Sequence, residues 1–265
     1  MTGSAEITRP QPGQAAVEAG PLLLVAAGAW AGTVLLARGM AGITGTMGLG
    51  LAAFVPVWAL MMAAMMLPSV APAASRYARS APGSRTARTA GLTAGYLAIW
   101  VAAGVPAFGL AWLAGWVAGR HPGAAHLLAV AVFAACGVYQ LSGPKDRCLA
   151  HCRGPLAPRG GWRGDLTGWR GDLTGWRGDL AAGARHGAYC LGCCWGLMVI
   201  LVAVGVMNIA AMAGLAVVVL TEKTFSRGPV AGRAFGVAAL GLAVAVIWLP
   251  WLAPGLHAAP PMAMG

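Results

Sequence analysis

The chain has 265 residues, of which 58% are hydrophobic and 9% charged, and its mean hydropathy is +0.71. An ordinary water-soluble domain carries about a quarter charged residues, so a soluble enzyme or nucleic-acid-binding domain is excluded and an all-α, polytopic transmembrane helix bundle is expected. The net charge of +11 then reads as membrane topology and attraction to anionic lipid headgroups, with the lipid bilayer as partner and no nucleic acid.

Residues 1–20 are polar and contain Glu6 and Glu18, unlike a cleavable signal peptide; they are expected to form a disordered cytoplasmic N-terminus. Apolar stretches follow at 21–37, 47–67, 90–119, 123–143, 188–221 and 230–253, each long enough, or nearly so, for a hydrocarbon core of about 30 Å. The transmembrane domain is thus placed at 21–253, with cytoplasmic loops at 69–89 and 144–187 and a flexible tail at 254–265. All seven acidic residues lie outside the spans, with Glu222 at an edge. Intramembrane carboxylates mark proton relays and hard-cation pathways, so those functions lose support.

The stretch 188–221 is too long for one span at about 1.5 Å per residue, and Gly205 and Asn208 offer a turn near its middle. Broken there, the chain makes about seven spans; unbroken, six. The positive-inside bias favours the break. With the N-terminus cytoplasmic and the C-terminus outside, every Lys and Arg except Arg38 and Arg120 falls on the cytoplasmic side, whereas an unbroken span would expel Lys223, Arg227 and Arg233.

Residues 161–180 repeat Gly-Trp-Arg-Gly-Asp-Leu-Thr in tandem, the third copy lacking its Thr. A heptad period would align Trp162, Trp169 and Trp176 on a helix, but two glycines per unit cost about 1 kcal/mol each there. A loose linker with interfacial Trp anchors is expected.

Chemistry concentrates in the cysteines. All except Cys136 lie in two clusters, Cys148-Leu-Ala-His-Cys152 and Cys190-Leu-Gly-Cys-Cys194. On a helix, positions i, i+3 and i+4 share a face, so His186, Cys190, Cys193 and Cys194 form one stripe. Ser142-Gly143 can cap, Pro144 suits a first helical turn and Pro155 a stop, so Cys148, His151 and Cys152 would form another. Arg147, Arg153 and Arg185 are expected to favour the thiolate. Cys136 reads as a small buried hydrophobe.

A third group is Met61, Met62, Met65 and Met66, paired at i,i+4 and closed by Pro68, at the cytoplasmic end of the second span. Packing alone would explain it, but the topology puts it at the depth of both Cys clusters. Thiolate with thioether selects Cu(I), whereas Cys and His alone also suit Zn(II). Met198, Met207, Asn208 and Met212 could extend a path inward, and His257, Met262 and Met264 lie in the tail. There is no P-loop, haem-attachment motif or nucleophile elbow, and no enzymatic activity is expected.

Met-Met-Ala-Ala-Met-Met-Leu-Pro (61–68), Tyr-Gln-Leu (139–141) with Lys-Asp-Arg-Cys-Leu-Ala-His-Cys-Arg (145–153), and Gly-Ala-Tyr-Cys-Leu-Gly-Cys-Cys-Trp (187–195) with Val-Met-Asn (206–208) together resemble a bacterial family of predicted metal-binding integral membrane proteins, a domain of unknown function. The resemblance spans roughly 50–225 and implies a multi-pass inner-membrane protein and a metal, without naming the ion; the tandem repeat departs from it. The leading expectation is a protein that binds Cu(I) at the cytoplasmic membrane edge and hands it on or across, with a metallochaperone or metalloenzyme as partner. The alternatives are a membrane thiol–disulfide oxidoreductase pairing Cys190 and Cys193 with Cys148 or Cys152, and a structural Zn(II) staple acting through a partner.

Overall fold

The computed structural model describes residues 12–40, 45–80, 83–154 and 175–256. Among these the fold is all-α, with no strand: α1 (Pro12–Met40), α2 (Leu51–Arg79), α3 (Arg85–Arg120), α4 (Pro122–Gln140), α5 (Gly143–Arg153), α6 (Gly175–Val204), α7 (Ile209–Thr224) and α8 (Gly228–Trp248), then single 3-10 turns at Pro250–Leu252 and Pro254–Leu256. Six helices, α1 to α4, α6 and α8, are long and apolar enough to cross a membrane.

The expected break in 188–221 is present. Gly205 adopts φ +99°, which a side chain would strain, and Asn208 spans the gap. Its Oδ1 accepts the Ala211 N–H at 3.0 Å while its Nδ2 donates to the Val204 carbonyl at 3.2 Å, capping α7 and closing α6. At 16 residues, α7 extends only about 24 Å, short of the hydrocarbon thickness.

Several expected boundaries move because tertiary packing extends helices beyond their apolar stretches. Helix α1 begins at Pro12, inside the segment expected to be disordered. Helix α2 does not stop at Pro68 but continues through it and Pro72 to Arg79, replacing half of the expected 69–89 loop; Ser69, Ser75 and Tyr77 are all buried. Proline is tolerated inside a bundle because neighbouring helices support the locally broken ladder, and the hydroxyls of this segment stay paired along it: Ser69 donates to the Met66 carbonyl and Ser75 to the Ala71 carbonyl. Helix α3 starts at Arg85, capped by Ser84, whose Oγ accepts the Ala87 N–H.

The third repeat copy is also helical, against the linker expectation, since α6 starts at Gly175. Asp179 is buried; it accepts the Tyr77 hydroxyl at 2.8 Å and lies 3.6 Å from Arg88 Nε, whose guanidinium also covers the Tyr77 ring. This docking outweighs the helix penalty of the glycines. Trp176 is exposed, under Arg177; Trp162 and Trp169 lie outside the described residues. The expected flexible tail starts packed: Leu256 is buried, and Gly255 abuts Gly205 and the Val202 carbonyl. His257, Met262 and Met264 lie outside the described residues.

Helices α3 and α6 make the closest pair. A Cβ at Gly95 would fall on the Leu180 carbonyl, and one at Gly183 on the Leu92 carbonyl. Without a hydrophobic force between helices in lipid, such small-residue contacts supply the association. Replacing Gly183 by Leu is therefore expected to destabilise the folded protein by at least about 1–3 kcal/mol, measured by chemical unfolding in detergent, while Gly109→Leu, at a position with open space, should change little.

Candidate metal centre

Four thiols form a buried chain across two helices. Cys190, Cys193 and Cys194 on α6 are each 0% exposed, and Cys152 on α5 is buried against them. The Cys193 and Cys194 sulfurs are 3.3 Å apart, Cys152 Sγ lies 3.7 Å from Cys193 Sγ, and the Cys193 thiol donates to the Cys190 carbonyl at 3.2 Å. All are free cysteines. The i, i+3, i+4 spacing accounts for the α6 part; the Cys152 contact requires α5 to lie across α6.

Helix α5 forms as expected. Ser142 Oγ caps the Lys145 N–H, with Pro144 in the first turn. Its placement depends on residues the spacing did not mark. Lys145 Nζ lies 2.6 Å from Glu222 Oε1, which also accepts Gln140 Nε2 at 3.0 Å, and the Arg153 guanidinium donates to the Glu222 backbone carbonyl. Glu222, at the edge of its apolar stretch in the last turn of α7, is thus fully buried and ion-paired. Toward α6, Cys148 Sγ packs into the space left by Gly192, where a Cβ would approach it to 2.8 Å, and the Tyr139 hydroxyl donates to the Gly192 carbonyl.

Cys148 is only partly buried, yet burial pushes its thiol above the ordinary cysteine range. The expectation that neighbouring arginines lower it fails for this residue, since Arg153 is turned to Glu222.

The cation at the cluster is instead Lys223. Its Nζ donates to Cys190 Sγ at 2.7 Å and to Ser69 Oγ at 3.3 Å, and the Tyr96 hydroxyl lies 3.0 Å from the same sulfur. Two donors converging on one buried sulfur suit a thiolate. Lys223 was legible only as a topological charge and Tyr96 not at all, because both pairings are long-range.

Met61, Met62, Met65 and Met66 are all buried to 1% exposure or less. Their link to the thiols runs through Ser69, one turn on along α2, and Lys223. His186 is buried one turn before Cys190 and packs beside the Tyr96 ring. His151 lies on the α6-facing side of α5 with Cys148 and Cys152, as expected, but its ring is engaged: it stacks on Tyr189 with ring centroids 4.5 Å apart, and its Nδ1–H donates to the Arg147 carbonyl at 2.7 Å. Cys136 is buried in α4 beside Gly196, matching its packing role.

The donor set is soft and nearly free of oxygen anions. Sulfurs around a tetrahedral metal at about 2.3 Å stand about 3.8 Å apart, close to the Cys152–Cys193 separation. Among the described residues no three His, Cys, Asp or Glu side chains already converge on one metal position, so loading requires thiol rotation. A protein retaining only Cys148 should react slowly with iodoacetamide at pH 7, with the midpoint of its rate profile above the free-thiol value near about 8.5. A midpoint below that value in the alkylation profile would contradict the burial effect.

A family model described as "PpoB2: Copper chaperone" matches residues 55–246 of the chain. No curated protein and no solved structure matches it.

Proposed function

The chain belongs to the PpoB2 copper chaperone family, and from that premise we propose that it is a multi-pass membrane protein carrying Cu(I) as cargo on the thiol chain Cys152, Cys193, Cys194 and Cys190, with Cys148 as the outermost sulfur. The observation that carries this reading is the contact of four buried, free thiols across α5 and α6. Soft sulfur ligands select Cu(I), and a buried sulfur chain shields it from water.

Tightly held thiolate copper moves only if a second sulfur can bind before the first lets go. Sγ separations of 3.7 Å from Cys152 to Cys193 and 3.3 Å from Cys193 to Cys194 supply that neighbour at the centre of the chain. Transfer would run from partly exposed Cys148 to the α6 thiols, and the Met61, Met62, Met65 and Met66 thioethers of α2, linked to Cys190 through Ser69 and Lys223, would take the metal next. Neutral thioethers leave the metal less tightly held than thiolates, which suits onward release toward Met198 and Met212, both buried. His186 assists at the α6 end; His151, stacked on Tyr189, is the weaker candidate. The basic end of the bundle faces the cytoplasm of a bacterial inner-membrane protein, and the protein acts as a carrier, not an enzyme, delivering to a metallochaperone or metalloenzyme.

Purified protein is expected to bind Cu(I) in competition with a chromophoric Cu(I) chelator. Loss of an outer partner of a metal site costs about 10–100-fold, so Cys193→Ser, which removes a ligand, should weaken binding by about 100-fold or more, and Cys136→Ser by less than about twofold. Equal affinities for these two variants would reject the thiol site. In the competing reading of a structural Zn(II) staple, chelation would lower the melting temperature sharply, whereas a transfer site unloads with little unfolding.

A further inference from the structure

We infer that Glu222 is a positioning residue for the thiol cluster: it holds both ends of α5, and with them Cys148 and Cys152, against the thiols of α6. An 11-residue helix is marginal in isolation, so its location must come from tertiary ties. Lys145 in its first turn and Arg153 in its last both end on Glu222, one on the carboxylate and one on the backbone carbonyl. The two anchors are about 12 Å apart along the helix, and the cysteines lie between them.

The tie is built into the surrounding helices. The Lys145 and Glu222 side chains are 2% and 1% exposed, and α8 leaves room for them at Gly232, where a Cβ would meet Glu222 Oε1 at 2.5 Å and Lys145 Nζ at 2.9 Å. Removing the carboxylate charge strands a buried ammonium, and the group escapes that state by lifting α5 toward water. The other ion pair that α5 makes among the described residues, Arg233 to Asp146, is exposed, and exposed pairs contribute little. Glu222 also precedes Lys223, which reaches Cys190, so consecutive residues of α7 hold the two halves of the cluster. This assignment builds on the copper reading, but the placement of α5 is measurable without copper.

The experiment uses the full chain with only Cys152 and Cys193 retained, the other cysteines changed to Ser. Diamide, a two-electron oxidant, joins the two thiols, and cleavage at a protease site inserted between α5 and α6 scores the crosslink. Lys145→Met and Glu222→Gln should each slow crosslinking at least fivefold with unchanged helical content, while Arg233→Ala should keep the parent rate. A smaller slowing in either variant, or equal slowing by Arg233→Ala, overturns the inference. If Glu222→Gln does not yield folded protein, Lys145→Met carries the test, because Glu222 then keeps its Gln140 donor. With all cysteines present, Glu222→Gln should weaken Cu(I) binding as much as Cys148→Ser with Cys152→Ser, and adding it to that pair should weaken binding no further; an additive loss overturns the positioning role. Failure of the wild-type protein to bind Cu(I) would reject the copper reading and leave the crosslinking result standing.

Discussion

A charge inside an apolar bundle has to be met by a partner, and one end of this protein is organised by that obligation. Lys145 meets Glu222, Asp179 meets Arg88 and Tyr77, and Lys223 meets a sulfur. Breaking a buried pair by removing one partner costs about 3–5 kcal/mol, against a whole-domain margin of about 5–15 kcal/mol. That scale exceeds the local preferences it overrides. It keeps a short polar helix docked and lets a glycine-rich repeat copy start a long one.

The same obligation separates this cluster from an ordinary buried cysteine patch. A thiol packed as a small hydrophobe, as Cys136 is, needs no donor. Cys190 receives two, from Lys223 and Tyr96, in a region where Lys223 would otherwise lack an acceptor of comparable strength. Carrying copper and burying Lys223 therefore draw on one sulfur. The rigid α3–α6 contact at Gly95 and Gly183 fixes the depth at which Tyr96 meets that sulfur.

Periodicity made part of this architecture legible. The helical class, the α6 cysteine stripe, the cap and length of α5 and the turn at Gly205 and Asn208 all follow from local spacing and local turn chemistry. Pro68 was read as a stop because proline ends helices in water; inside a bundle α2 passes through it. Glu222 shows in the sequence as a charge at the edge of an apolar stretch, but its pairing does not, because Lys145 lies 77 positions away. The proximity of Cys152 to Cys193 was invisible for the same reason: spacing shows which residues share a face, not which faces meet.

Among the described residues, the last copy of the tandem repeat docks on the bundle through Asp179. The upstream copies carry the same Arg-Gly-Asp-Leu sequence, yet the docked aspartate is always the one that enters α6. One sequence motif thereby acquires a structural role by position: Asp179 accepts the Tyr77 hydroxyl because it stands in the first turns of α6.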